Sequence, residues 1–102
     1  MNFNQMRQLM EKEIIPTIMR TRDAGQKEYA HGRENVFANF ERGAKALDIS
    51  REKVLMTYLL KHIDGISAYV KGHKSQRENV RGRITDAIVY LMLLWAMSRD
   101  DS

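Results

Sequence analysis

Basic side chains are concentrated in the segment from Lys61 to Asp86, and this segment is the part of the chain best suited to chemistry on an anion. Residues 71 to 83 contain five cations and one acid, namely Lys71, Lys74, Arg77, Arg81 and Arg83 against Glu78. That local excess equals the formal net charge of the whole chain, +4. A charge excess confined to one segment between helical patterns predicts an anion-binding site.

The link from Gly72 to Arg77 leads into a predicted helix, where backbone amides, a serine hydroxyl and cations together favour phosphate. Ser75 also suits the N-cap of that helix; capping explains the serine but not four cations beside it. His73 is either an anion contact or a solvated loop residue. The pattern therefore predicts an anion site formed by Arg77, Arg81 and Arg83, with His73 and Lys74 assisting and Ser75 at the helix start.

Two acids stand near these cations, each three residues after a cation on its own helix. Lys61 precedes Asp64, and Arg83 precedes Asp86, with Tyr90 four residues further on. If the two helices are antiparallel, both faces converge, and the acids either hold the cations in place or chelate a metal. The alternative is two local ion pairs on solvated faces, which stabilise little. Because each acid has its own cation, the spacing predicts ligand binding without a divalent metal.

Two aromatic or imidazole side chains complete the set of candidates. His62 shares a helical face with Tyr58 and Tyr69, a setting typical of a partly buried, hydrogen-bonded histidine rather than a ligand or base. Tyr29 is a candidate for stacking on a base, with closure of a helix end as the alternative. Trp95 and the seven methionines need no cofactor, since core and interface packing explain them.

Composition limits the class of protein. A chain of 102 residues predicts a single domain, residues 1–102. The absence of cysteine excludes disulfides, thiolate metal sites and cysteine nucleophiles, and fits a reducing cytoplasm. The N-terminal residues lack the apolar core of a signal peptide, and the longest apolar run, Ala87 to Met97, is too short to span a bilayer. We expect a cytoplasmic protein with no membrane partner.

Helical spacing of apolar residues appears four times and alternation typical of strands does not, so we predict an all-α bundle of about four main helices. Pro16 predicts a kink or break near Ile15 in the first pattern, and His31-Gly32 a turn after it. Asn35 and Ser50 are predicted N-caps, and Gly72 a helix end. The predicted buried stripes are Met6, Met10, Ile14 and Ile18; Val36, Phe37, Phe40, Ala44 and Leu47; Leu55, Leu59, Ile63, Ile66 and Val70; and Val80, Ile84, Ala87, Ile88, Leu91 and Trp95.

The last helix is apolar almost all round from Ala87 to Met97. A helix of this kind is central in a bundle or lies in a subunit interface. We expect both here, with one side in the core and the other against a second copy of the chain. The protein is therefore predicted to self-associate through this segment.

Four segments together resemble small phage and prophage proteins of the nucleotide-modification-associated, all-α type, which are distantly similar to the MazG-like nucleotide pyrophosphatases. They are TRDAGQKEYAH, NVFANFERGAKAL, YLLKHIDGISAYV and RGRITDAIVYLMLLWAM, which cover Thr21 to Met97. The most specific marks are Glu28-Tyr29 before Asn39-Phe40, Lys61-His62 with Asp64, and Asp86 four residues before Tyr90. The resemblance implies a helical fold, a nucleotide ligand and a location in the host cytoplasm.

The chain departs from the pyrophosphatases where they hold magnesium. Those enzymes use a Glu-x-x-Glu and a later Glu-x-x-Asp. Here the residue three positions after Glu34 is Phe37, and the residue three positions before Asp86 is Arg83, so neither motif is present. An arginine at that position repels a metal and attracts a phosphate. The sequence therefore favours a protein that binds a phosphorylated nucleotide without hydrolysing it. We expect no cofactor. The expected role is either to sequester a signal of host immunity or to serve nucleotide metabolism.

Three alternatives stay open. One is a divergent metal-dependent nucleotide pyrophosphatase that uses Glu28, Asp64 and Asp86 as ligands. Another is a structural, protein-binding module whose last helix builds an oligomer. Direct nucleic-acid binding is the weakest reading, because the basic stretch is short and no recognition helix is evident.

Overall fold

The computed structural model describes residues 1–29, 34–73 and 79–101, and these residues form helices joined by short connections. The all-α prediction is confirmed, and the described part of the chain contains no strand. No helix in it is long and apolar enough to cross a membrane. The elements are α1 (Phe3–Leu9), a π-helical turn (Met10–Ile14), α2 (Ile15–Tyr29), α3 (Ala38–Leu47), α4 (Arg51–Val70) and α5 (Val80–Asp100).

The N-terminal helical stretch is continuous through Pro16, so of the kink or break predicted near Ile15 the break is wrong, and the irregularity lies in the turn before the proline. Proline lacks the N–H that would bond the carbonyl four residues earlier. The turn just before it is π-helical, and the Ile15 N–H donates to the carbonyl of Met10, five residues back. Only Ile18 of the predicted first stripe is buried, while Met6 and Met10 are exposed. The stretch therefore packs through its C-terminal part.

The longest helices, α4 and α5, pack against each other in antiparallel order. Arg51 at the start of α4 contacts Asp100 at the end of α5, His62 lies opposite Asp86, and Gly65 lies against Arg83. The α3 helix packs on α4 and α2 packs on α5. The buried core is formed by Phe37, Phe40, Val54, Leu55 and Met97.

The ends of α4 form as the sequence predicts. The Ser50 side chain accepts a hydrogen bond from the Lys53 N–H at 3.2 Å, which confirms the N-cap. At the other end Gly72 has φ +91°, a conformation that favours glycine. The N–H of His73 donates to the carbonyl of Ala68 and the N–H of Gly72 to that of Tyr69, which closes the helix in a Schellman arrangement.

The start of α3 differs slightly from the prediction. The helix begins at Ala38, after a turn, and Asn35 stands three residues before it. The Asn35 side chain accepts from the Phe37 N–H at 3.0 Å, so it satisfies a donor at the helix start from within that turn. His31-Gly32, where a turn was predicted, lies outside the described residues.

The predicted buried stripes of α4 and α5 are partly wrong. On α4, Ile63 and Val70 are exposed, whereas Val54 and His62 are buried. On α5 the exposed members of the stripe are Ile84, Leu91 and Trp95, and the buried residues are Ala87, Val89 and Met97. Both helices are apolar on two flanks, and α2 and α3 cover only one of them.

Arg51 clamps the end of the α4–α5 pair. Its side chain is 15% exposed and lies 3.1 Å from Asp100, 2.8 Å from Asp101 and 3.3 Å from Glu41. The guanidinium also stacks over the Phe37 ring, 4.6 Å from the centroid. Burial acts to lower the pKa of Arg51, but the hydrogen bonds and negative charges of the two aspartates outweigh it and raise that pKa. The clamp therefore keeps its charge throughout the neutral range.

We predict that Arg51→Met lowers the free energy of unfolding by about 1–3 kcal/mol, because it leaves four acids, Glu41, Glu52, Asp100 and Asp101, without their shared partner. Chemical denaturation at low and high salt measures this loss. The control is Lys53→Met, an exposed cation in the same turn of α4, which should change stability by less than about 0.5 kcal/mol. Equal effects of the two substitutions would contradict the clamp.

Glycine at position 43 permits the close approach of α3 to α4. A Cβ at Gly43 would lie 2.9 Å from Cγ1 of Val54, whereas one at Gly82 in α5 would meet nothing within 4 Å. We expect Gly43→Ala to destabilise the fold by about 1–3 kcal/mol through overpacking. Gly82→Ala should instead stabilise it by about 0.5–1 kcal/mol through helix propensity. Thermal unfolding compares the two, and a stabilised Gly43→Ala variant would refute the tight contact.

Candidate functional site

A cavity of about 300 Å³ lies between α2, α3 and α5. Three aromatic rings line it, one from each helix: Tyr29, Phe40 and Tyr90. The other lining residues include the polar side chains Thr21, Arg22, Gln26, Glu28, Asn39 and Asp86. Aromatic walls with a few polar groups are typical of a site for a small planar ligand.

The aromatic wall is held in place from behind. Tyr90 stacks on Tyr58 of α4, with ring centroids 6.1 Å apart, and Phe40 meets both tyrosine rings edge-on. Phe40 is 1% exposed and part of the core. The antiparallel pairing of α4 with α5 brings Tyr58 to Tyr90, so the wall is built on helices rather than on loops.

Asp86 lies beside this wall, with an imidazole of α4 behind it. Its Oδ2 is 3.6 Å from Nε2 of His62, and the His62 ring stacks on Tyr90 at 5.7 Å between centroids. His62 is 6% exposed, so it is more fully buried than the partly buried, hydrogen-bonded histidine that the sequence predicted. The imidazole therefore supports both Asp86 and Tyr90, while Asp86 itself lines the cavity.

A second cavity, of about 310 Å³, adjoins the first at the start of α5. The two share Thr21 and Asp86 as lining residues, and the second adds Arg81. The Asn79 side chain accepts from the Arg81 N–H at 2.7 Å and caps the helix. Because backbone N–H groups at a helix start carry partial positive charge, this cavity favours an anion.

The predicted convergence of the Lys61 and Asp64 face with Asp86 is wrong. Both side chains are exposed, and these two described residues form no ion pair with each other. The positions of α4 that face α5 are 62 and 65, about 100° around the helix from 61 and 64 respectively. Sequence spacing placed Lys61 with Asp64 correctly on one side, but that side faces away from α5.

Arg83 lies in the contact between α4 and α5 and lines neither cavity. Its side chain covers Gly65 so closely that any Cβ at position 65 would collide with it. The structure therefore gives Arg83 a packing role and leaves Arg81 as the cation of the second cavity. The predicted anion contact His73 is exposed at the end of α4, and Lys74, Ser75 and Arg77 lie outside the described residues.

Sequence reasoning missed most of the cavity wall. Asn39-Phe40 is a mark of the family resemblance, but nothing in the spacing of residues predicts that it lines a site, and the same is true of Thr21 and Arg22. A signal was present, because Tyr58 and His62 are four residues apart on one helix and Asp86 and Tyr90 four apart on the other. Such pairs meet when the helices are antiparallel. In the part of the chain that the structure describes, no three histidine or acidic side chains are grouped as metal ligands.

The chain has no significant match among protein-family models, curated proteins or solved structures. The resemblance to small phage proteins and to MazG-like pyrophosphatases therefore stays an expectation.

We predict that His62→Ala lowers the free energy of unfolding by about 2–4 kcal/mol, because it removes a buried ring that supports Tyr90 and Asp86. His62→Phe keeps the stacking surface and should cost less. Urea denaturation measures both, with exposed Tyr69→Ala on the same helix as the control, expected to change stability by less than about 0.5 kcal/mol. If His62→Ala matched the control, His62 would not support the wall.

Proposed function

We propose that this protein binds a small phosphorylated nucleotide without hydrolysing it, with the base in the first cavity and the phosphate in the second. The observation that carries this proposal is the junction of the two cavities at Thr21 and Asp86. One cavity offers aromatic faces and the other offers a cation at a helix start. A nucleotide likewise joins a planar base, which suits the first cavity, to a phosphate, which suits the second.

The base half of the proposal is supported by the types of side chain in the first cavity. Tyr29 offers a ring face for stacking, which is worth about 1–3 kcal/mol for each base, and Tyr90 lines the same cavity with its ring packed on Tyr58 and His62. Asn39 supplies both donors and acceptors, and the Asp86 carboxylate accepts from an exocyclic amine. A base that carries an amino group fits this set best.

The phosphate half is supported by Arg81 and by the first turn of α5. Guanidinium groups bind phosphate oxygens through charge-assisted, often paired hydrogen bonds. Lys74 and Arg77 stand five and two residues before Asn79 in sequence and lie outside the described residues. Sequestration of a host immune signal and supply of nucleotides for modification are the two roles that the phage resemblance implies.

We expect Arg81→Gln to weaken binding of a nucleoside monophosphate by about 10- to 100-fold, the cost of one charge-assisted contact. Binding of the matching nucleoside should not change, because it lacks the phosphate. Asn39→Ala should weaken the binding of both the nucleoside monophosphate and the nucleoside. Isothermal titration against the four common ribonucleotides and their nucleosides measures these effects.

Lys61→Gln is the matched control, since it removes an exposed cation of α4 that lines neither cavity. Its affinity should equal that of the unchanged chain. An Arg81→Gln variant that kept full nucleotide affinity would refute the phosphate half, and weaker binding in Lys61→Gln would restore the site first expected on α4.

A metal-dependent pyrophosphatase is the second candidate, and one observation favours it. Glu28 and Asp86, two of its three expected metal ligands, line the same cavity, although Asp64 does not. The proposal of a binder predicts equal affinity with EDTA and with magnesium, and no release of pyrophosphate or phosphate. Affinity that needs magnesium, turnover of the nucleotide and loss of both in Asp86→Asn would instead establish the hydrolase.

A further inference from the structure

The α4–α5 pair exposes a broad apolar surface, which we call the hairpin face. Its α4 stripe is Met56, Leu60, Ile63 and Val70, with Ser67 between the last two. Its α5 stripe is Ile84, Ile88, Leu91 and Trp95, followed by Ser98; Ile88 is half-buried and the other four are exposed. Val70 is 75% and Trp95 is 76% exposed, and no position of either stripe carries a charge.

Both stripes lie on the same side of the α4–α5 pair. On α4, Val54 is packed by α3, and Met56 lies about 200° around the helix from it. On α5, Val89 lines the cavity formed with α2 and α3, and Leu91 is again about 200° away. Since α2 and α3 line one cavity together, they cover one side of the pair. On the other side, Ile14 and Ile18 line a cavity with Ile84 and Ile88 at the edge of the hairpin face. Among the described residues, Leu60, Leu91 and Trp95 in the middle of that face stay exposed.

The spacing of the two stripes is that of a coiled-coil seam. The α4 positions are 56, 60, 63, 67 and 70, and the α5 positions are 84, 88, 91, 95 and 98. Both sets alternate steps of four and three, the heptad spacing by which apolar side chains of one helix fit between those of another. Two antiparallel helices that each present such a seam on one side form half of a four-helix bundle.

The chain has a larger accessible surface than a compact monomer of the same mass. The accessible surface is 7862 Å² for 11.9 kDa, whereas a compact monomer of that mass exposes roughly 6,000 Å². The radius of gyration is 15.3 Å against roughly 13 Å for a compact chain of 100 residues. Part of the excess belongs to α1, which has no buried residue. A stable dimer needs only about 800 Å² from each partner.

We propose that two copies of this chain pair through the hairpin face to form a two-fold symmetric dimer with α4 and α5 of both copies as a central four-helix bundle. A second copy fits because the face is uncharged and seam-like on both helices, so that it complements itself under two-fold symmetry. The α2 and α3 helices of each copy then lie outside this bundle. The interface extends the expected segment Ala87 to Met97 by adding the α4 stripe.

The experiment uses light scattering and the single tryptophan of the chain. The unchanged protein should have twice the mass of 11.9 kDa at micromolar concentration. Its Trp95 emission should move to shorter wavelength as concentration rises, because the indole leaves water. The double variant Leu60→Glu, Leu91→Glu should weaken dimerisation by more than tenfold while circular dichroism stays helical. The control is Leu47→Glu, an apolar residue 67% exposed at the end of α3, which should leave the dimer unchanged.

Each outcome bears on the interface directly. A monomer mass of the unchanged chain at 100 micromolar overturns the proposal, as does a folded double variant that dimerises as tightly as the unchanged chain. A dimer with Trp95 emission that does not depend on concentration overturns the hairpin face as the interface. If the double variant loses its helices, the milder Leu91→Ser with Leu60→Ser replaces it, with the same expected rise in the dissociation constant.

Discussion

The antiparallel packing of α4 on α5 is the contact on which the rest of the structure depends. It brings Tyr58 to Tyr90 and His62 to Asp86, so residues 32 and 24 positions apart in sequence become neighbours across two helices. Arg51 fixes one end of the pair by joining the start of α4 to the end of α5. Near the other end, only glycine at position 65 leaves room for the side chain of Arg83. Register along this contact therefore decides which side chains form the aromatic wall and which acid lies beside it.

The two sides of the α4–α5 pair differ in how far other helices cover them. On one side α2 and α3 pack against the pair but leave part of the space between the helices unfilled, and the two cavities lie there. On the other side the described residues place no helix over Leu60, Leu91 and Trp95, since a domain of about 100 residues has too little mass to cover both sides of two long helices completely. An apolar seam left uncovered in this way is a cost in water unless another surface buries it. The small size of the domain thus accounts both for the two cavities on one side of the pair and for the exposed hairpin face on the other.

Local features of the fold could be predicted from sequence, and the choice of flank could not. Ser50 and Gly72 work through their own backbone neighbours, so their residue types alone identified the start and the end of α4. Leu91 and Trp95 were expected in the core because their spacing is helical, but Val89 and Met97 on another flank of α5 are equally apolar. Periodicity cannot choose between two apolar flanks, because that choice depends on where α2 and α3 pack. The same limit placed Lys61 and Asp64 in the site instead of His62, which is one residue and about 100° away from Lys61.

Charge is divided between the two cavities in a way that argues against a simple anion as ligand. The first cavity has the carboxylates of Glu28 and Asp86 against the guanidinium of Arg22, which already contacts Asp23 at 3.2 Å. Free phosphate would be repelled there, whereas an amino group on a ring would be attracted. The second cavity has Arg81 and the start of α5, which attract an anion but offer no aromatic face. A ligand that satisfies both cavities must therefore join an amine-bearing planar ring to an anionic group over a distance of a few bonds, and a nucleotide with an amino-substituted base has that composition.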